Sequence, residues 1–540
     1  MADIKLLDCT LRDGTYINKG EFGDDAISGI IKYLALSNID MIELGWLTNK
    51  SYIQGLTYFH TVEDIRKYIP QNHNSNTSFA AMIGYGDYDL KYLSDYDGKS
   101  IDTIRMFFSK EKFSEALNFA KEIKYKGYKL CLQAANTQNY SDLEILHLCS
   151  KINEIKPESI SIVDTSGVMY PADIHRSFML MNNNIDKKIK IGFHSHNNLQ
   201  LSFANTMLFC ELGRDALRNI IVDSSLCGMG RGAGNTCTEL IADYLNKQHG
   251  KNYDMDMIMD IIDIYLRNIM EKHNWGYSIP YCIAGQLGSH VNNVKYLQNT
   301  HKVNYRDMRN IIQKIEPKNR TKNNSNDYSG LESLYVSYID SSIDDVSIIN
   351  LLNQKLENKN VLIIAPGKNA ILEYNKIKNF INQNNLVTIG VNSILDNYNY
   401  DFVFFSNKLR FIYANGSKNI LDNTKVILTS NIKKTSNKTN EYIVNFNSLK
   451  EAKWKYFDNS TIMLLRLLSK LKVKSIYIAG FDGYNMGEYV SYADTILQTN
   501  LSDDEKIIFN EEIQDMLNIF IKDHKKSINI EFITNSIFSI

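Results

Sequence analysis

No cysteine follows Cys282, and the seven that precede and include it (Cys9, Cys131, Cys149, Cys210, Cys227, Cys237 and Cys282) contain no CxxC pair. An odd, scattered set reads as reduced thiols of a cytoplasmic protein rather than a disulfide framework. Charge of one sign is also missing. Sixty Lys and Arg against 61 Asp and Glu leave a formal net charge of −1, which removes the electrostatic case for a nucleic-acid or anionic-membrane partner. Local basic spots such as Lys433-Lys434 read as solvated surface. No uninterrupted apolar run is long enough to cross a bilayer. Met1-Ala2-Asp3-Ile4-Lys5 lacks the basic start and apolar core of a signal peptide. What is present is a composition ordinary for a globular protein, 44% hydrophobic and 22% charged over 540 residues, enough for two or three domains.

The first 240 or so residues alternate apolar strands with amphipathic helices. Expected strands are 4–9, 41–47, 79–83, 103–108, 129–133, 159–163, 190–196 and 219–224, and helical periodicity is clear over 25–36, 113–124 and 141–155. Eight βα units predict a closed (β/α)8 TIM barrel. A doubly wound sheet is the competing arrangement, since it has the same alternation. The barrel is preferred on strand count and because polar residues gather just beyond strand C-termini: Arg12, Asp13, Glu43, Gln133, Asn136, Asp164, His194, His196 and Asn235. From 253 to 315 the pattern is helical, most clearly over 255–270. Residues 318–326 read as an exposed polar loop, and 331–338 as another helix. A second α/β region follows, with strands expected at 361–365, 386–391, 402–405, 426–429, 442–446, 475–479 and 528–534. Domain limits are placed at 1–248 for the barrel, 249–357 for a helical extension and linker, and 358–540 for a Rossmann-like α/β domain.

His194 and His196 lie at i and i+2 on an expected strand, so both point to one face. In a closed barrel the first and seventh strands flank the eighth, so Asp13 can meet the two imidazoles across the mouth. Two imidazoles and a carboxylate form a facial ligand set for a divalent metal, with coordination positions left open. The loop 228–235, rich in glycine, places Asn235 as a fourth ligand or as a partner of the ligands. Arg12 adds a permanent cation suited to a carboxylate or a developing enolate oxygen. An isolated HxH on a strand is more often incidental; Arg12-Asp13 and Asn235 weigh against that reading. Glu43 is either a catalytic carboxylate or the partner that orients Arg12. Asp164 and Thr165 bind substrate or cap the next turn. Arg105, Gln133 and Asn136 face the mouth only if the strand register holds. Cys227 and Cys237 read as packing residues.

Thr10-Leu11-Arg12-Asp13-Gly14, the His194/His196 pair and the Gly-Ala-Gly run ending at Asn235 resemble, over about residues 4–315, the metal-dependent lyase and synthase TIM-barrel superfamily. That group includes 4-hydroxy-2-oxovalerate aldolase, hydroxymethylglutaryl-CoA lyase and isopropylmalate synthase. The resemblance implies that Asp13, His194 and His196 hold the metal and that Arg12 stabilises an enolate. Mn²⁺ is the expected ion, with Mg²⁺, Co²⁺ or Zn²⁺ as alternatives. It implies an aldolase that forms or cleaves a carbon–carbon bond through the enolate of a 2-oxo acid such as pyruvate, with an aldehyde as partner. An acyl-CoA Claisen condensation is the alternative, and a non-catalytic nucleotide-binding protein a further one. The oxovalerate aldolases carry a histidine where this chain has Tyr16 and a tyrosine where it has His290. Both residues are proton-transfer candidates, a satisfied helix histidine being the bland reading of His290, and the exchange points to an aldehyde other than that family's own.

In the second region, 361–369, Gly390-Val391-Asn392, 404–407 and the run through Gly480-Phe481-Asp482-Gly483 resemble the Rossmann-like bacterial sialyltransferases that use a CMP-sugar donor. The resemblance implies a nucleotide or CMP-sugar site at Gly367, Asn369, Asn392, Asn407 and Asp482, and a setting in surface-glycan precursor biosynthesis. The base histidine of those transferases has no counterpart in 505–515, and a nucleotide-binding or purely structural domain is the alternative. A homo-oligomer is compatible with all of these readings.

Overall fold

The structure, a computed structural model, describes residues 2–71, 77–301, 303–321, 327–339, 341–417, 424–432, 441–451, 453–454, 459–488, 490–494 and 501–539. The chain forms two compact units, Met1–Leu334 and Tyr335–Ile540. The division falls inside the segment 249–357 expected to be extension and linker.

In the first unit the strands are β1 (Ile4–Asp8), β2 (Met41–Leu47), β3 (Tyr58–Phe59), β4 (Ser78–Gly84), β5 (Thr103–Phe108), β6 (Lys129–Ala134), β7 (Ser159–Asp164), β8 (Lys190–Ser195) and β9 (Ile220–Ser224). All pair in parallel. The order is β1-β9-β8-β7-β6-β5-β4-β2-β3, and β1 also pairs with β2, so eight strands close into a barrel with β3 as an outer appendage. The two-residue β3 is the strand that the apolar periodicity did not announce. The expected doubly wound competitor is excluded by the β1–β2 and β1–β9 ladders.

Alternation along each strand sends one set of side chains out and the other in. The outer set, with Leu6, Ile42, Ile104, Leu130, Ile160 and Phe193, packs under the helices. The inner set forms a small apolar layer of Leu7, Cys9, Met41, Ala80, Cys131 and Ile221. Above this layer, towards the strand C-termini, the inner positions turn polar. Helices follow most strands; the segment between β4 and β5 carries only the single turn Leu90–Tyr92. Helix starts use local chemistry: Ser141 and Glu144 form a reciprocal capping box at the helix Asp142–Ile155.

Beyond the barrel lie further helices. The run expected over 255–270 is interrupted: Met255–Ile261 is α-helical, Ile262–Leu266 is a π-helical turn, and Arg267–Lys272 continues the helix. The π turn inserts a wider hydrogen-bond ring that simple periodicity does not reveal. Of the polar stretch expected to be a loop, Pro317–Arg320 is a short helix, started by a proline whose missing N–H costs nothing at that position; residues 322–326 lie outside the described residues, as do Lys433 and Lys434.

The second unit holds β10 (Asn360–Ile364), β11 (Leu386–Val391), β12 (Phe402–Phe405), β13 (Lys425–Thr429), β14 (Glu441–Val444), β15 (Ser475–Ala479) and β16 (Asn529–Phe532). They form a parallel sheet in the order β14-β13-β12-β11-β10-β15-β16. Successive residues of β10 enter different apolar layers, Val361 and Ile363 on one face and Leu362 and Ile364 on the other. Both faces are therefore covered, as an all-parallel sheet requires. The strand order reverses between β10 and β15. No helix among the described residues is long and apolar enough to cross a membrane.

Candidate metal centre

The barrel closure delivers Asp13, His194 and His196 to one place. Asp13 sits on the helical turn Thr10–Asp13 directly after β1, His194 on β8, and His196 just past that strand's end, bridged to Asn235. One ligand atom from each lies within 4.8 Å of the others, and all three residues are buried. Asn235 closes the fourth side: its Nδ2 donates to Asp13 Oδ2 at 2.5 Å. His196 Nδ1 and Asn235 Oδ1 are buried with no hydrogen-bond partner. Buried orphan acceptors of this kind are costly unless something coordinates them. With two imidazoles and a carboxylate beside them, the donor set fits a divalent ion.

The ligands are held by a chain of buried ions. His194 Nδ1 bonds to Asp223 Oδ2 at 2.9 Å, which fixes the ring with Nε2 3.7 Å from Asp13 Oδ2. Asp223 also accepts from Arg105, and Arg105 Nη1 donates to Glu43 Oε2 at 2.8 Å. The same Glu43 oxygen accepts from Arg12 Nε at 2.7 Å, and Arg12 Nη1 reaches Asp13 Oδ1 at 2.6 Å. Burial alone would raise the pKa of Asp13, but Arg12 and the two histidines outweigh it and hold the carboxyl well below the usual range. Burial, opposed by Asp13, pushes His196 down to about 3, so its ring is neutral and free to ligate. Asp223 is likewise held below its usual value: Arg105 and His194 overcome the effect of burial.

Glu43 makes the contact with Arg12 that an orienting partner requires, while its Oε1 is buried without a partner. Arg105 is occupied on both sides by carboxylates beneath the centre. Gln133 points inward from β6, and its buried Nε2 has no partner. Asp164 gives both carboxylate oxygens to backbone N–H groups, of Val168 at 2.9 Å and Met169 at 3.1 Å. That is the turn-capping alternative. Burial, partly offset by these bonds, still lifts its pKa to about 6. Thr165 Oγ1 accepts from the N–H of Asn136, a residue with φ +56°. Burial pushes the thiols of Cys227 and Cys237 up to about 12.

A bulge in β2 shapes the rim. The register with β4 shifts between Glu43 and Trp46, so that Glu43 pairs with Ala80 and Trp46 with Met82. Trp46 thereby turns to the same inner face as Glu43. Gly45 makes this feasible: its φ is +155°, and a Cβ there would lie 2.1 Å from Thr57 O. The Arg12 guanidinium lies 5.6 Å from the Trp46 ring centroid. Tyr16 meets Trp46 edge-on at 6.4 Å and carries the Arg231 guanidinium 4.3 Å above its own ring. His290, just before the helix Val291–His301, is buried. Its Nδ1 accepts the Asn292 N–H at 3.2 Å, so the neutral ring carries its proton on Nε2. Burial, then Arg231 and His196, hold its pKa at about 3.

Asp223, Arg231, Lys295 and Trp46 had drawn no attention in the sequence. Asp223 had a signal: it is an acid inside the apolar strand Ile220–Ser224, two residues from inward-facing Ile221.

In the second unit the expected nucleotide residues lie at strand C-termini. Asp482 Oδ2 accepts the Asn369 N–H at 2.8 Å, while Oδ1 is buried without a partner. A Cβ on Gly367 would lie 2.4 Å from Gly480 O, so these two loops touch across the strand-order reversal. Asn392 is spent internally: Oδ1 accepts from the N–H groups of Ser406 and Asn407, and Nδ2 donates to Ser460. Asn407 caps the helix Lys408–Ser417 through the N–H groups of Leu409 and Arg410. Asn369 Nδ2 donates to Asn535 O at 2.9 Å.

Comparison with known proteins bears on the first unit. A family model described as HMGL-like matches residues 102–265. An oxaloacetate decarboxylase from Mycobacterium tuberculosis is 27% identical over 258 residues, 47% of this chain and 74% of that protein. A 4-hydroxy-2-oxovalerate aldolase from Chloroflexus aurantiacus is 26% identical over 281 residues, 50% of this chain and 77% of that one. Among solved structures, the N-terminal domain of a candidate aldolase from Bacteroides vulgatus aligns with a TM-score of 0.48 at 25% identity, covering 55% of this chain and 98% of that chain.

Proposed function

We propose that the barrel unit is a divalent-metal-dependent aldolase acting through the enolate of a 2-oxo acid such as pyruvate. The observation that carries this reading is the convergence of Asp13, His194 and His196 beside the buried Arg12 at the C-terminal mouth. The names of the similar aldolases point the same way. An ion held by Asp13, His194 and His196, with Asn235 adjoining, supplies Lewis acidity to a 2-oxo carbonyl.

The chain's own residues do the rest. Arg12, locked by Glu43 and Asp13, presents a fixed cation to the oxygen on which enolate charge develops, without reorganising during the reaction. Trp46 lies against Arg12 on the inner face of the mouth and forms an apolar wall beside it. Tyr16 and His290 are the proton-transfer candidates at the rim, and the neutral His290 ring presents Nε2–H as a hydrogen-bond donor. In the forward direction the methyl C–H bond breaks as its proton passes to a rim base, the enolate carbon bonds to the aldehyde carbon, and the protonated base returns that proton to the alkoxide oxygen so formed.

Incorporation of solvent deuterium into the pyruvate methyl group tests this without any aldehyde. Exchange is expected from chelator-treated protein only after Mn²⁺ or another divalent ion is restored. Silence with Mn²⁺, Mg²⁺, Co²⁺ and Zn²⁺ alike overturns the reading. A second reading is favoured by the Mycobacterium tuberculosis relative: decarboxylation of oxaloacetate, which reaches the same enolate by losing carbon dioxide. Carbon dioxide release from oxaloacetate, compared with aldol turnover under one metal condition, separates the two.

A further inference from the structure

We infer that the mouth of the barrel carries an anion subsite built from Arg231 and Lys295, so that the aldehyde partner bears a carboxylate or a phosphate. The inference rests on the aldolase reading and adds the class of its second substrate.

Geometry brings the two cations together. Arg231 belongs to the loop 228–235, which runs beside the end of β8: the Asn197 N–H donates to Gly234 O at 2.8 Å, and His196 bridges to Asn235. The next residue, Gly232, packs so closely on the helix Val291–His301 that a Cβ would stand 3.1 Å from Val291 Cγ1 and 2.6 Å from Asn198 Oδ1. Lys295 is one helical turn beyond Val291, on the same face. Each cation lies over an aromatic ring, Arg231 4.3 Å from the centroid of Tyr16 and Lys295 5.7 Å from that of Tyr281. His290, at the head of the same helix, feels both charges as well as His196.

Neither cation has a carboxylate partner among the described residues. This contrasts with the floor of the same site, where Arg12 and Arg105 are each tied to two carboxylates. Burial and the nearby Arg231 lower the pKa of Lys295, the signature of a cation lacking compensation. Two partly buried like charges side by side are unfavourable unless an anion comes between them. Aromatic faces are a weak substitute, since they hold a cation while leaving its N–H donors free.

The placement relative to the chemistry is also defined. Arg12 lies against Trp46, Trp46 meets Tyr16, and Tyr16 lies under Arg231. The anion subsite is therefore two aromatic rings out from the arginine that faces the enolate. An aldehyde with its carbonyl at the centre would then direct an anionic group at its far end towards Arg231 and Lys295.

Matched aldehydes test the inference with the metal-loaded full chain and pyruvate. Succinic semialdehyde is set against butyraldehyde, and D-glyceraldehyde 3-phosphate against D-glyceraldehyde. The anionic member of at least one pair is expected to win by about 10- to 100-fold in kcat/KM, the scale of a hydrogen bond to a charged group. The winning pair distinguishes carboxylate from phosphate. In Arg231→Met and in Lys295→Met the preference should shrink, mainly through KM for the anionic member, and Arg231→Lys should restore part of it. Each protein's ratio is its own control, and the wild-type ratio decides the matter even if a variant fails to fold. Equal use within both pairs, no condensation with any of the four, or an undiminished preference in both Met variants overturns the subsite. Pyruvate exchange in the wild type separates the two readings: exchange without anion preference removes the subsite alone, whereas absence of exchange removes the aldolase.

Discussion

Both units of this chain place polar side chains at the C-terminal ends of parallel strands, yet they treat them differently. In the second unit Asn392 uses both ends of its amide on Ser406, Asn407 and Ser460, and Asn407 Oδ1 accepts from two N–H groups at a helix start. These groups close on each other and hold the loops in place. In the barrel His196 Nδ1, Asn235 Oδ1, Glu43 Oε1 and Gln133 Nε2 are all buried without partners on the inner face of the mouth. Orphans of that sort destabilise a fold. Their concentration beside Asp13 and His194 is what the proposed metal site would account for. The polar residues of the two units are similar in kind; what separates a site from a scaffold is whether their bonding capacity is already used. Asp482, with one oxygen bound and one orphaned, stands between the two cases.

The sharpest way to break this contrast is His194→Ala. Loss of a ligand should exceed the ~10–100-fold fall in metal affinity that follows from losing a residue that merely orients one. Metal content after dialysis, with deuterium exchange into pyruvate, checks it; full metal retention would show that the barrel orphans serve no ion. Asn392→Ala should act on stability instead. It strips the acceptor from two backbone N–H groups and should cost about 1–3 kcal/mol in denaturant unfolding, with pyruvate exchange retained. A large loss of exchange would mean the second unit is more than a scaffold for itself.

The smallest effect is expected at Asp482. Burial raises its pKa to about 6, offset in part by the Asn369 N–H. The folded chain thus holds this proton more tightly than the unfolded chain, so the associated stability is complete below the ordinary carboxylate pKa near 4 and is lost as pH rises through about 6. Asp482→Asn abolishes that titration. The melting temperature of wild type relative to the variant should therefore fall between pH 4 and pH 7. A flat difference would mean that the orphaned oxygen has a partner in solution.

Much of this arrangement was legible in the sequence. Strands of a parallel barrel are buried on their outer faces beneath helices, so runs such as Ile160-Ser161-Ile162 announce themselves through every second residue. Asp13, His194 and His196 were legible because strand adjacency in a closed barrel follows from strand count. Trp46 was hidden because its inward turn depends on the Gly45 bulge, which breaks the two-residue period. Arg231 and Lys295 were hidden for another reason. Their proximity depends on how a post-barrel helix packs against a glycine loop, a long-range contact that neither local pattern encodes. The π turn at Ile262–Leu266 left no periodic trace because its flanks remain helical.

The chain of ions on the barrel floor also ties two distant stretches of sequence into one mechanical unit. Asp13 touches Arg12, Arg12 touches Glu43, Glu43 touches Arg105, Arg105 touches Asp223, and Asp223 touches His194. His194 in turn faces Asp13, so the contacts run in a closed loop from the turn after β1 to β8 and back. Arg12, Glu43, Arg105 and Asp223 each serve two neighbours, and removing any one of them frees both. A change at Arg105, far from either end in sequence, would therefore slacken Asp13 and His194 together.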